Sequence, residues 1–375
     1  MIALALHHPP PNCFALAEYF LYEFAGCSLA KHRQNGIEKK MRIISPVTTL
    51  AELAQLAGVS VATVSRSLAG NPAIATATRT RIVALAQEHG FQINQSARNL
   101  RLKRTGAIGA VLPLGHEVDQ HISDPFFMSL VCPLAEGVAD RGYDLLLSRV
   151  IPRNDGWLDV IVDAGRVDGI IMIGQSNQID AIERVAHRYA PLIVWGAAVS
   201  DRTQITVGSD NVAGGRIAAE HLLAQGRSRL AFFGNIDVPE FAARYAGFQQ
   251  AIASAGAANA TLLPVHLTSE SSFSAIEAYL ASHPSPDGIV AASDVIAMSA
   301  LRALAQRGAR VPQDVGVVGY DDILMAQYTA PPLTTIRQDV ARGAALMIDL
   351  LFKKMEGAQV SPISMAPELI LRGSA

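Results

Sequence analysis

Cysteine is scarce in this chain of 375 residues: only Cys13, Cys27 and Cys132 occur. None stands at a zinc-ligand or Cys-x-x-Cys spacing, so neither a disulfide framework nor a thiolate metal site is implied, and a reducing, cytoplasmic setting is expected. Charge is also sparse, 17% of residues against 50% apolar, a globular composition with material for a large core. The apolar stretch Cys13–Ala30 is broken by Glu18 and Glu23 and has no Lys or Arg before it, which excludes a signal peptide and a membrane span of about 20 residues. No G-x-G-x-x-G follows a strand, no lysine-bearing phosphate loop occurs, and neither G-x-S-x-G nor H-E-x-x-H is present. The expectation is a binding protein rather than an enzyme, with no catalytic residues, no cofactor and no metal.

The length asks for two or three folding units. The net charge of −2 hides a split: residues 48–105 carry seven Arg and Lys against Glu52 and Glu88, whereas residues 106–375 are acidic overall. A small basic module on a large acidic body points to a polyanion partner for the module, although a solvated basic face would look the same. Residues 1–40 differ from the rest of the chain, with two of the three cysteines and an aromatic cluster from Phe14 to Phe24. Translation is expected to start at Met41, and residues 1–47 are read as an extension that is not native or has no fixed structure.

From Thr48 the pattern is helical. Thr49-Leu50-Ala51-Glu52 is a capping box, a hydroxyl and a carboxylate satisfying each other's backbone donors. Leu50, Leu53, Ala54 and Ala57 form one stripe, and Gly58 stops the helix. Ser60 caps a second helix, Val61–Leu68. Thr76 opens a third, with Ile82, Leu85 and Ala86 inward and Gly90 at its end. After Arg101 short apolar runs alternate with helical stretches: Ala107–Pro113, Tyr143–Arg149, Gly169–Gly174, Leu192–Gly196, Leu230–Gly234, Gly288–Ala292 and Val315–Gly319. Continuous apolar runs suit parallel strands buried on both faces of a doubly wound sheet. Asp168-Gly169-Ile170-Ile171 recurs as Asp287-Gly288-Ile289-Val290, as two similar lobes would require and as chance likeness between buried strands would also give.

A helix, a turn at Gly58-Val59-Ser60 and a second helix make a helix-turn-helix reader, whose second helix enters the major groove. Val61, Ala62 and Arg66 would then face base edges, Arg66 forking onto guanine, while Thr49, Ser60, Thr63 and Ser65 set register on phosphates. A plain helical hairpin is the alternative. Residues Leu50–Arg66, Leu-Ala-Glu-Leu-Ala-Gln-Leu-Ala-Gly-Val-Ser-Val-Ala-Thr-Val-Ser-Arg, resemble the DNA-binding signature of the lactose/galactose repressor (LacI/GalR) family. The resemblance extends to the C-terminus through Asp210-Asn211, Gly214-Gly215, Glu220-His221-Leu222, Ser293-Asp294, Val317–Asp322 and Pro332–Ile336.

The resemblance implies an all-α helix-turn-helix DNA-binding domain (48–93), a hinge (94–105), and an α/β core (106–375) like the periplasmic binding proteins. That core would have two lobes, each a doubly wound parallel sheet. The first lobe would hold about 106–207 and 337–364, the second 208–336 and 365–375. It also implies that Asn94, Ala97, Leu100 and Arg101 belong to a hinge that turns helical on DNA, with Leu100 wedged into the minor groove beside its twin from a second subunit. An ordinary basic linker would share that composition. The partners implied are a double-stranded, pseudo-palindromic operator, a second copy of the chain and a small sugar effector, with no membrane. The function implied is repression of carbohydrate-utilisation genes released by a sugar. The alternative is a co-repressor-dependent regulator sensing a purine, nucleoside or phosphosugar.

For the effector cleft the resemblance points to Phe126 or Phe127, Arg244, Ser293 and Asp321, with Asp210 as a further candidate. The chemistry suits a sugar: a carboxylate accepts two hydroxyls, a guanidinium donates a fork, and an aromatic face covers the C–H side of a pyranose. Arg244 and Asp321 could alternatively form a structural ion pair, and Trp195 reads either as another stacking surface or as a core aromatic. His116, Glu117, Asp119, His121 and Asp124 crowd one loop, but without a His pair at helical spacing they read as a polar cleft mouth rather than a metal site. Replacing Arg66→Ala should weaken operator binding by about 1–3 kcal/mol and relax base preference; unchanged anisotropy titrations on operator DNA would contradict this docking.

Overall fold

The computed structural model describes residues 47–91, 99, 104–114, 120–197, 201–256 and 259–375. The proposed start at Met41, the hinge residues Asn94, Ala97, Leu100 and Arg101, and His116, Glu117 and Asp119 lie outside them. The chain divides into two compact units, one ending at Ile93 and one beginning at Asn94.

The described residues of the first unit form three helices: α1 (Leu50–Ala57), α2 (Val61–Leu68) and α3 (Thr76–Glu88). The capping box forms, with the Glu52 amide donating to the Thr49 hydroxyl at 3.2 Å and the Thr49 amide to the Glu52 carboxylate at 3.3 Å. Gly58 ends α1 at φ +64°, a left-handed turn that a side chain would strain. Ser60 caps α2 through the Thr63 amide. Leu53, Val64 and Ile82, one from each helix, are fully buried at the centre, and Arg81 donates to the terminal carbonyl of Ala57 at 2.9 Å.

The second unit holds two six-stranded sheets. In the first, β1 (Ala107–Pro113), β2 (Asp144–Val150), β3 (Gly169–Ile173), β4 (Leu192–Trp195), β5 (Ile205–Ser209) and β11 (Ile363–Met365) lie in the order β11-β5-β4-β3-β1-β2, all parallel. In the second, β6 (Arg229–Phe233), β7 (Asn259–Leu263), β8 (Gly288–Ala291), β9 (Gly316–Asp321), β10 (Thr334–Arg337) and β12 (Glu368–Ile370) lie in the order β12-β10-β9-β8-β6-β7. Only β12 runs antiparallel there. The chain passes from lobe to lobe three times, after β5, after β10 and between β11 and β12. Among the described residues no helix is long and apolar enough to cross a membrane.

The repeated Asp-Gly motif is structural. β3 and β8 hold equivalent places, each beside the first strand of its lobe. Asp168 accepts from the amides of Thr105 and Gly106 at 2.8 and 2.9 Å. Asp287 accepts from those of Ser228 and Arg229. In each lobe the carboxylate holds the entry to the neighbouring strand, and the glycine after it is buried in the sheet.

Glycine also sets how the second lobe packs. The helices Asn211–Ala224 and Pro239–Ser254 cross so closely that a Cβ on Gly215 would strike the carbonyl of Arg244, and one on Gly247 the carbonyl of Val212. Backbone against backbone leaves no slack for a methyl group. Gly247→Ala should therefore destabilise the second unit by about 3 kcal/mol, at the upper end of overpacking costs, in urea unfolding; a loss below about 0.5 kcal/mol would mean that the helices separate freely.

Candidate functional site

Between the two sheets lies a cavity of about 780 Å³, its mouth included. Its walls come from the carboxyl ends of strands, where doubly wound sheets gather ligands. The first lobe contributes Leu114 after β1, Gly174 after β3 and Trp195 at the end of β4; the second contributes Ser293 after β8 and Asp321 at the end of β9. Phe126 and Phe127, at the start of the Pro125–Asp140 helix, supply aromatic faces 6.1 Å apart, and Trp195 stands 6.2 Å from Phe126. Trp195 joins both of its expected roles, since it is 4% exposed in the first-lobe core and still borders the cavity.

Arg244 is 5% exposed, an unusual place for a guanidinium. The close helix crossing brings its Nε within 2.9 Å of the Asn211 side-chain oxygen. Nη1 donates to the Ala292 carbonyl and lies 3.7 Å from Asp321. The guanidinium also stacks 3.7 Å above the Tyr320 ring, a cation–π contact strengthened by burial.

Two successive aspartates part company here. Asp322 turns away from the cavity and binds Arg337 at 2.8 Å and Arg372 at 2.6 Å. Asp321 takes φ +117°, a conformation that a side chain tolerates at a cost of about 1–3 kcal/mol. It borders the cavity, where Gln338 donates to it at 2.7 Å. Behind it Asp294 is fully buried, accepting from Thr335 at 2.6 Å and from the Ile323 amide at 2.9 Å. Burial, and then the neighbouring Asp321 charge, push the Asp294 carboxyl well above the usual carboxylate range. Burial likewise raises Asp321 to about 7, against the opposing pull of Arg244.

Five of the six effector candidates read from the sequence, Phe126, Phe127, Arg244, Ser293 and Asp321, line this one cavity. Asp210 does not: it is exposed, and its carboxylate accepts from the Ala213 amide at 2.9 Å, capping the helix that Asn211 begins. The cavity residue is Asn211. Gln120, Glu240 and Gln338 also line it without having been singled out for the cleft. For Glu240 a signal existed, because it precedes Arg244 by four residues and so shares its helix face. Among the described residues no cluster is fit to hold a metal.

In the first unit, Val61, Ala62, Ser65 and Arg66 project from α2 into solvent. Ser60 and Thr63 bond each other at 2.9 Å, and the Thr49 hydroxyl serves the capping box. The exposed face of α2 therefore offers small apolar groups, one hydroxyl and one guanidinium, a set suited to base edges.

A helix-turn-helix reader joined to a two-lobed α/β receptor with a cavity between its lobes defines a ligand-responsive DNA-binding regulator. The bacterial regulatory proteins of the lacI family match residues 49–94, and the periplasmic binding protein-like domain matches residues 219–375. The ribose operon repressor of Halalkalibacterium halodurans is 31% identical over 314 residues, covering 83% of this chain and 91% of that protein. The regulator CelR of Thermobifida fusca is 29% identical over 331 residues, 85% of this chain and 95% of that protein. The lac repressor dimer bound to operator and the anti-inducer ONPF superposes with a TM-score of 0.75 at 26% identity, covering 88% of this chain and 99% of that one. The chain belongs to the lacI family and is a DNA-binding transcriptional regulator.

The raised Asp321 carboxyl has a consequence for stability. In the unfolded chain an aspartate titrates near 3.9, so the folded state holds this proton more tightly. The resulting stabilisation is complete below about pH 4 and is lost as pH rises through about 7. The difference in unfolding free energy between the natural protein and Asp321→Asn should fall from pH 4.5 to 7.5, by at most about 1.4 kcal/mol per pH unit. A difference independent of pH would contradict the burial of a protonated carboxyl.

Proposed function

We propose that the protein is a cytoplasmic homodimeric repressor of carbohydrate-utilisation genes, without catalytic activity, released from a pseudo-palindromic operator by a small sugar bound between its lobes. The observation that carries this reading is the cleft: aromatic faces from Phe126 and Trp195 opposite a buried polar floor of Arg244, Asp321 and Ser293. Aromatic rings suit the C–H face of a sugar ring and paired acceptors suit its hydroxyls. A solved CelR structure holds cellobiose, and superposes with a TM-score of 0.63 at 27% identity over 87% of this chain. Self-association is supported by Leu324, Met325 and Tyr328, large apolar side chains more than half exposed on one turn of the second lobe.

The mechanism is a population shift. A sugar that touches both lobes favours the lobe arrangement in which it fits, and if that arrangement differs from the operator-binding one, the affinity for DNA falls by the ratio of sugar affinities for the two. The domain limits 48–93, 94–105 and 106–375 follow the same division of labour between reading, coupling and sensing. The competing reading is a co-repressor-dependent regulator sensing a purine, nucleoside or phosphosugar.

Thermal unfolding against a panel of mono- and disaccharides tests the proposal. A sugar at about 100 times its dissociation constant should add about 2.7 kcal/mol, a shift of a few degrees, and should release operator DNA. Asp321→Ala should abolish both responses while still binding operator. Stabilisation by purines or nucleosides with none by sugars would replace the effector class and leave the DNA reading intact.

A further inference from the structure

We propose that the cleft admits uncharged effectors and rejects phosphorylated or carboxylated ones, with Glu240 the residue that sets this rule. The inference rests on the reading of the cleft as the effector site and narrows the chemistry of what enters it.

Most of the charged side chains on the cavity wall are carboxyls. Asp124, Glu240 and Asp321 place three carboxyls on its wall. Gln120, 5% exposed, gives its amide nitrogen to Asp124 at 3.1 Å, which leaves its side-chain oxygen buried without a partner. The Ser209 hydroxyl, buried without a partner in a residue 3% exposed on the same wall, can donate or accept. A buried acceptor that nothing satisfies calls for a donor. Sugar hydroxyls donate; the oxygens of a phosphate dianion or a carboxylate only accept.

Among the described residues Arg244 is the one cationic side chain on the cavity wall, and it is committed to Asn211, to the Ala292 carbonyl, to Asp321 and to the Tyr320 ring. An entering phosphate would therefore sit beside carboxyl groups with no uncommitted cation on the described wall, and any carboxyl that is ionised would repel it more strongly there than in solvent.

Among the three carboxyls Glu240 is distinct. Asp321 faces Arg244, and Asp124 caps the Pro125–Asp140 helix through the Phe126 amide at 2.9 Å. Glu240 belongs to the second lobe and accepts from the backbone of Gln175 in the first. It thus bridges the two lobes at the cavity wall; burial raises its carboxyl above the usual range, against the pull of its backbone donors and of Arg244.

Isothermal titration of the full chain with matched neutral and anionic compounds tests the rule. The pairs are glucose with glucose 6-phosphate and glucuronate, ribose with ribose 5-phosphate, and adenosine with its 5′-monophosphate. In whichever pair binds, the neutral member should be tighter by about 100-fold or more. Glu240→Gln, which keeps shape and removes charge, should narrow that ratio at least tenfold by raising affinity for the anion, and Glu240→Ala should move it the same way. An anionic member that binds as tightly as its neutral partner overturns the rule. A ratio unmoved by both substitutions removes Glu240 from it. Binding confined to the adenosine pair would overturn the carbohydrate reading, while the charge rule would still be judged by which member binds.

Discussion

A guanidinium buried between two helices and an aromatic ring governs the second lobe. Arg244 can occupy that place only because Gly215 and Gly247 let the helices touch along their backbones, and because Asn211, the Ala292 carbonyl and Asp321 surround it with oxygen. A buried ion pair contributes little net stability compared with apolar packing, and losing one member of it is costly. Its value here is positional: it fixes a charged floor in a cavity whose upper walls are apolar. The strained backbone of Asp321 and the outward pairing of Asp322 with two arginines serve the same end, by separating two adjacent carboxylates into one for the site and one for the scaffold.

The two lobes apply one plan twice. Their central strands follow the same order, and the Asp-Gly motif stands at the same point in each, an aspartate gripping the amides at the mouth of the next strand. The cleft arises because the two sheets present their carboxyl ends to each other. Side chains from both meet in one cavity although they are far apart in sequence, from Leu114 to Gln338.

Much of this was legible in the sequence, for local reasons. The three helices of the reader are each announced by short-range chemistry, the capping box at Thr49, the left-handed Gly58 and the Ser60 cap, and the structure repeats them. The central strands were legible as unbroken apolar runs. Strands β5, β7, β10, β11 and β12 were not: β5, β7 and β10 mix polar with apolar residues, and only three residues make up each of β11 and β12. The site was legible through the family resemblance at Arg244 and Asp321, charged side chains that the structure buries at the cavity wall. It misled at Asp210, because an aspartate one residue before a helix caps as readily as it binds, and a one-residue shift decides which neighbour faces the cavity. Glu240 escaped because its meaning depends on Gln175, a residue of the other lobe.

The threefold passage between lobes bears on how the protein is made. The edge strand β11 of the first sheet and the edge strand β12 of the second are encoded within the same few residues, after Val340–Met355 has already crossed back. Ser374, wholly buried, ties Thr334 to Val317 in the second sheet. The reader precedes the receptor in the chain, whereas both receptor sheets take an edge strand from residues 363–370. During synthesis the nascent regulator can hold a complete DNA-reading unit while its sensor is still unmade.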